Sequence, residues 1–358
     1  MSDQSNRKQS IVTRVAQALH FVEAETGAVV PAIQPAATYA RDENYEVRKP
    51  YWYRRDGSQT TAHAEAIIAE LENGAESLLF SSGMSACTAV IEHLPTGAHV
   101  VVPKVMYHGV LQQIQNYEKN KRITVSHYTA GNLGELASAV RAGETQLVWV
   151  ETPNNPNWEV TDIAAAAEIA HEVGAKLIAD CTATPPSMTR ALELGADISF
   201  HSATKYLNGH SDITAGVLSV KETGQFWDDI AMVRKLQGTV LHSQDAWLLI
   251  RGMRTLFLRV ERSCKNAMAI ATHFEGHPHI EAVLYPGLAF DPGHEVAKRQ
   301  TGGQFGGMMS IIIKGTEQTA IDVTRFCELF YPATSLGGVE SLVEHRKTVS
   351  GEGFPVHP

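Results

Sequence analysis

The chain has 358 residues and a formal charge of −9, which leaves room for one large and one small domain and argues against nucleic acid or an anionic membrane surface as a partner. Residues 1–10 are polar with no apolar stretch behind them, and no run of 18 apolar residues occurs. Neither a secretion signal nor a transmembrane helix is therefore expected.

Residues 1–60 read as irregular and aromatic-rich, with Tyr39, Tyr45, Tyr51, Trp52 and Tyr53. Such a segment rarely builds a core alone and is expected to lie across another subunit or the main domain. From Thr60 to Glu72 the apolar residues Ala64, Ile67, Ile68 and Leu71 recur at helical spacing and stop at Asn73-Gly74. Strands and helices then alternate. Strands are expected at 77–80, 99–102, 123–127, 147–150, 176–179 and 198–200, with a last β run at 214–220. Helices are expected at 85–93, 109–119, 133–141 and 163–173. This alternation predicts an α/β fold with a mostly parallel, doubly wound sheet and helices on both faces. A single long helix is expected over 244–265, leading into a smaller α+β region. That region has strand-like segments at 283–285 and 308–313 and a helix at 318–330.

In an open parallel sheet, ligands bind beyond the carboxyl ends of the strands, and the chemistry-bearing residues fall there. The apolar run Leu177-Ile178-Ala179 ends in Asp180, and Ser202-Ala203-Thr204-Lys205 follows the next strand. A lysine beside hydroxyls, downstream of a strand-end carboxylate, is the arrangement expected of a pyridoxal phosphate (PLP) enzyme. The lysine forms a Schiff base with the cofactor aldehyde, the hydroxyls hold the phosphate, and the acid keeps the pyridine nitrogen protonated. Each part alone has a plainer reading, since most such lysines are solvated and a strand-end acid is often a helix cap. Three further sites repeat the placement. Ser82-Gly83-Met84 follows a strand and opens a helix whose free N–H groups suit a phosphate. Tyr107 follows the 99–102 strand and can stack on a pyridine ring. Asn155, in Glu151-Thr152-Pro153-Asn154-Asn155-Pro156, can donate to a ring hydroxyl or a substrate carboxylate. The four cysteines show no CxxC spacing and read as reduced thiols of a cytoplasmic protein. The 16 histidines contain no HExxH, so no metal is expected.

At these residues the chain resembles the Cys/Met-metabolism family of PLP enzymes, which includes cystathionine γ-synthase, cystathionine γ- and β-lyases, methionine γ-lyase and O-acetylhomoserine sulfhydrylase. The resemblance runs from Tyr39 to Leu342 and is strongest at the segment from Ser202 to Asp212. It extends to 81–84, 151–156 and Ser335-Leu336-Gly337-Gly338-Val339-Glu340-Ser341-Leu342. It implies a type I aminotransferase-like fold and a homotetramer of two tight dimers with shared active sites. Lys205 matches the cofactor-binding lysine that also shuttles protons, Asp180 the pyridinium partner and Tyr107 the stacking tyrosine. Gly83, Met84, Ser202 and Thr204 match phosphate ligands, and Tyr53 and Arg55 match residues reaching the phosphate from the neighbouring subunit. Asn155 and Ser335 match residues near the substrate carboxylate. The implied organisation is an arm at 1–59, a cofactor-binding domain at 60–255 and a small domain at 256–358.

The chain also departs from the family pattern. Ser58-Gln59-Thr60 replaces Asn-Pro-Thr, Cys181-Thr182 replaces Asn-Thr, and Asp56 stands where a second arginine occurs in some synthases. Thr334 stands where cystathionine enzymes carry a glutamate for the distal ammonium group. The family's carboxylate-binding arginine is expected after a segment like Gly351–Phe354, and the sequence ends at Pro358 without it, as though truncated; Arg346 comes too early to match. The resemblance implies β/γ-elimination or γ-replacement on sulfur-containing or O-acyl amino acids. An O-acyl-homoserine sulfhydrylase and an inactive PLP-binding homologue are the alternatives.

Overall fold

A computed structural model of the chain describes residues 9–48 and 50–350. The Gly351–Phe354 segment and most of the polar N-terminus lie outside the described residues. Runs rich in Val, Ile and Leu form β1 (Glu76–Phe80), β2 (Ala98–Pro103), β3 (Ile123–Tyr128), β4 (Thr145–Glu151), β5 (Lys176–Asp180), β6 (Ile198–His201) and β7 (Gly216–Val220). They make one sheet in the order β1-β7-β6-β5-β4-β2-β3. β7 runs antiparallel to both its neighbours, while the remaining strands are mutually parallel. The mostly parallel sheet expected from the alternation is present, with the direction of β7 as the exception.

The helices are α1 (Ile11–Ala16), α2 (Gln59–Glu72), α3 (Gly83–His93), α4 (His108–Lys119), α5 (Leu133–Ala139), α6 (Ile163–Glu172), α7 (Gln225–Gln237), α8 (Ser243–Met253), α9 (Leu256–Phe274), α10 (His294–Thr301), α11 (Glu317–Arg325) and α12 (Arg346–Ser350). One sheet face packs its Val100, Trp149, Ile178 and Leu218 against α3, α4 and α7. The other face is covered in two parts, by α2, α8 and α9 over β1 and β7, and by α5 and α6 over β4 and β5. Strands buried on both faces carry continuous apolar runs, as Val100-Val101-Val102 in the wholly buried β2. Trp149 is fully buried in the first cluster, and truncating it to alanine is expected to cost about 3–5 kcal/mol.

The long helix expected over 244–265 is two helices, α8 and α9, which break at Arg254-Thr255. The break has a visible cause. Gly252 lies so close to the Asn208 carbonyl that a Cβ there would overlap it. Arg259 of α9 reaches back to donate to the carbonyls of Gly252 and Tyr206, both at 2.8 Å. The helices therefore bend around the 206–209 turn instead of running straight past it.

A small antiparallel pair, β8 (Ile280–Leu284) with β9 (Ser310–Ile313), packs on α9 through Val283 and Tyr285. A short parallel pair follows, β10 (Tyr331–Pro332) with β11 (Leu342–Val343). Their connection carries Ser335 to Gly338 back toward the main sheet. Among the described residues no helix is long and apolar enough to cross a membrane, and no group of three or more His, Cys, Asp or Glu could hold a metal ion.

Candidate active site

The carboxyl ends of β4, β5 and β6 lie side by side. Register places Glu151 beside Asp180, and Asp180 beside Phe200. Both carboxylates are buried, at 6% exposure each. Asp180 accepts the Thr182 N–H at 2.9 Å. Burial pushes its carboxyl above the usual range, against the pull of the Thr182 donors. The Thr182 hydroxyl in turn accepts the Ser202 N–H at 2.9 Å. Thr182, which keeps the family's threonine, thus ties the end of β5 to the segment that carries the lysine. Cys181 beside it is buried in the apolar core, which pushes its thiol well up.

After β6 the chain turns sharply. The Lys205 N–H donates to the Ser202 carbonyl at 3.1 Å, and the Gly209 N–H to the Lys205 carbonyl at 2.7 Å. The Thr204 hydroxyl donates to the Ala215 carbonyl at 3.2 Å and accepts the Ala215 N–H at 3.0 Å. These contacts fix the backbone under Lys205. Its amine donates to the Ser335 hydroxyl at 3.0 Å, and burial lowers its pKa, opposed by the negative charge of Glu344. Ser335 can reach this far because Gly337, at φ +77°, presses on the lysine segment; a Cβ there would stand 2.5 Å from the Tyr206 nitrogen. Thr334, one residue away, is exposed.

Ser82 caps α3 by accepting the Ser85 N–H at 3.0 Å. Gly83 and Met84 lie in the first turn of that helix, where N–H groups have no intrahelical acceptor. A Cβ on Gly83 would come within 3.3 Å of the Ser202 hydroxyl, so the helix N-terminus and the lysine segment form one cradle. Tyr107 caps α4 and is 44% exposed. Gly109 packs beside both its ring and Met84, since a Cβ there would be 2.9 Å from the ring and 3.1 Å from the Met84 sulfur. Asn155 is half-buried at the end of β4, and its N–H donates to Glu151 at 3.0 Å.

Lys205, Asp180, Ser202, Thr204, Gly83, Met84, Tyr107, Asn155 and Ser335 therefore gather at one end of the sheet. Tyr53 and Arg55 do not join them. Both are exposed, and the Arg55 guanidinium sits 4.4 Å from the Tyr53 ring centroid. No hydrogen bond or ion pair among the described residues connects either to the lysine segment. Asp56 pairs with Lys235 at 2.5 Å, and Ser58 caps α2 through a reciprocal pair with Thr61, so two of the departures from the family pattern serve local structure.

Sequence reasoning passed over two features of this region. Glu151 was read only as the first residue of a loop motif. Arg346 was set aside as too early, yet its charge acts on Tyr107, His108 and Glu151, and it pairs with Glu344 at 3.0 Å. No local pattern points to either. Arg346 lies just after β11, and the residues its charge acts on, Tyr107, His108 and Glu151, are far from it in the chain.

The profile of the Cys/Met metabolism PLP-dependent enzymes matches residues 13–355. The chain belongs to that family. It is 38% identical over 356 residues to a cystathionine beta-lyase of Coxiella burnetii, covering 99% of this chain and 91% of the relative. It is 37% identical over 355 residues to a cystathionine gamma-lyase of Dictyostelium discoideum, covering 99% and 90%. A crystal structure of cystathionine gamma synthase from Xanthomonas oryzae pv. oryzae in complex with cystathionine superimposes with a TM-score of 0.92 at 32% identity, covering 97% of this chain and 90% of that one. The protein is thus a PLP-dependent enzyme of the transsulfuration type, a carbon–sulfur lyase or transferase, with the type I fold.

The residues present fit that cofactor. Asp180 is a buried carboxylate with no ion-paired cation among the described residues. An uncompensated buried charge is costly, and a protonated pyridine nitrogen removes the cost. Lys205 is an amine that burial biases toward its neutral, nucleophilic form. The cradle of Gly83, Ser202 and Thr204 at the start of α3 has the donor chemistry that a phosphate requires.

Proposed function

We propose that the enzyme acts on amino acids bearing a sulfur or acyloxy leaving group at Cβ or Cγ, by elimination or by γ-replacement, with cystathionine-type thioethers as the substrate class. When bound, PLP supplies an aldehyde that condenses with amines and a protonated ring that draws electrons from Cα. Lys205 would hold the cofactor covalently, and its Nζ would take the Cα proton and deliver it onward. The Ser335 hydroxyl aims that amine. Asp180 keeps the proton on the ring nitrogen. Tyr107 stacks on the ring, and Gly83, Met84, Ser202 and Thr204 bind the phosphate. Asn155 and Ser335 hold the substrate near its carboxylate, and Thr334 faces its distal end.

In this reading Tyr53 and Arg55 complete the phosphate site of a neighbouring subunit, in a cytoplasmic homotetramer built of two dimers. Residues 1–59 form the reaching arm, 60–255 the cofactor domain and 256–358 the small domain. The observation that carries the reading is the Lys205 amine, half-buried and held on Ser335 at 3.0 Å beside the strand end that bears Asp180.

A second reading, an O-acyl-homoserine sulfhydrylase, is favoured by the exposed, uncharged Thr334, which offers no carboxylate to a distal ammonium group. The deciding experiment is incubation of the holoenzyme with cystathionine, methionine, homocysteine and O-acyl-homoserines, with and without a thiol. Products are identified by mass spectrometry. Keto acid from cystathionine supports the leading reading. Thioether formed only from O-acyl-homoserine and thiol supports the second. A cofactor-loaded protein that turns over none of them is an inactive homologue.

A further inference from the structure

Glu151 ends β4 inside the site, and none of the roles above uses it. Its two carboxyl oxygens contact two different loops. Oε2 accepts the N–H of Tyr107 at 2.6 Å, and Oε1 accepts the N–H of Asn155 at 3.0 Å. Tyr107 is the residue that starts α4 after β2, while Asn155 lies in the loop after β4. One side chain therefore joins the two loops whose side chains flank the Asp180 strand end. A second link runs parallel to it, where the Asn154 amide donates to the Val105 carbonyl at 3.3 Å and to Glu159 at 2.9 Å.

Capping two loop N–H groups does not by itself call for a carboxylate here. Glu151 is 6% exposed and sits in register beside a second buried carboxylate. Like charges in a buried corner are costly, and the bare fold would be better served by a neutral acceptor. The groups that face Glu151 are Asp180 on β5, which raises its pKa together with burial, and Arg346 at the start of α12, which lowers it. What a carboxylate offers in return is two equivalent acceptor oxygens in fixed geometry, one for each loop.

We propose that Glu151 is a positioning residue, whose two oxygens set where the Tyr107 ring and the Asn155 side chain stand relative to Asp180. It touches neither substrate nor cofactor in this scheme and acts through the two residues that do. The inference rests on the site assignment under the proposed function.

The test uses the holoenzyme of Glu151→Gln. Glutamine keeps one acceptor oxygen but turns an NH2 group toward the second N–H, so one loop is released. The expected result is a folded protein that still carries cofactor on Lys205. Its kcat should fall about 10- to 100-fold, the scale of a misplacement near 1 Å, and the circular dichroism of the cofactor band, per cofactor bound, should change. A purely structural role would lower Tm while leaving kcat per bound cofactor and the band shape unchanged, and that outcome overturns the proposal. If the variant does not fold, hydrogen exchange on the wild-type holoenzyme decides. The Tyr107 and Asn155 amides should exchange slowly although both lie at loop positions, and fast exchange at both overturns the proposal. Peptide mapping after borohydride reduction keeps the two readings apart. Cofactor fixed to another lysine sinks the site assignment, whereas cofactor on Lys205 with an unaffected Glu151→Gln sinks this inference alone.

Discussion

The charge on Asp180 decides how much chemistry the site can support. The carboxylate is buried, its donors among the described residues come from Thr182, and burial pushes its pKa up. Under the proposed function a bound pyridinium would restore the ionised form, and the ionised form would hold the ring proton. Asp180→Asn keeps the shape and removes the charge. Turnover of that variant is expected to fall by about 10² or more, the scale of losing one positioned electrostatic partner, and steady-state kcat on a cofactor-saturated sample checks it. Near-normal turnover would show that another group protonates the ring. Thr334 is the second residue with a sharp consequence. It is exposed and uncharged, whereas a glutamate at this point can pair with a distal ammonium group, a charge-assisted contact worth about 1.5–3 kcal/mol. Thr334→Glu should therefore raise the ratio of kcat/KM for cystathionine over that for O-acetylhomoserine. A wild type that already prefers cystathionine, with a ratio unmoved by the substitution, would assign the distal end to another residue.

Among the elements, the turn from Ser335 to Gly338 fits closely against the lysine segment. Gly337 adopts φ +77°, and any side chain there meets the Tyr206 backbone at 2.5 Å. Gly337→Ala must therefore push the turn outward and lengthen the contact between Lys205 and Ser335. A fall in kcat/KM of about tenfold or more is expected, with only a modest drop in Tm because the turn buries little; unchanged kinetics would mean that Ser335 does not aim the amine. The same scale shows what hydropathy reveals. Most of the strands β1 to β6 and helices α2 to α6 were legible because they bury apolar residues at the period of their element, as α2 does with Ala64, Ile67, Ile68 and Leu71. α7, which buries Trp227, Ile230 and Arg234, was missed. The break between α8 and α9 was missed because it depends on carbonyls of the distant 206–209 turn. The antiparallel direction of β7 leaves no mark in composition. Within the site, the placement of Lys205, Asp180 and Gly83 was legible because each sits in a local motif at a strand end, whereas Arg346 acts on residues far from it in the chain. Glu151 stood in plain view, but its purpose appears only when the Tyr107 and Asn155 amides are seen to converge on it.

Across the whole molecule, the N-terminal arm is fastened to the body yet leaves its aromatics outside. Gln34 and Thr60 are joined at 2.9 Å, and the Trp247 indole donates to the Pro31 carbonyl at 2.9 Å. Tyr45, Trp52 and Tyr53 remain 78%, 50% and 41% exposed, a surface that the proposed neighbouring copy would cover. Arg55 is suited to bidentate phosphate contact but does not reach the lysine segment of its own chain. If it serves a neighbour, Arg55→Ala should weaken cofactor retention. Mixing that variant with Lys205→Ala under subunit exchange should restore a minority of active sites, since each hybrid dimer regains one intact site. Activity that never recovers on mixing would make each site the property of a single subunit. All of these expectations depend on one assignment, that the cofactor is held at Lys205. Borohydride reduction of the holoenzyme followed by peptide mass mapping tests it most directly. The assignment requires the reduced cofactor on the peptide containing Lys205 and no adduct in Lys205→Ala; an adduct on any other lysine, or one that persists in the variant, would contradict it.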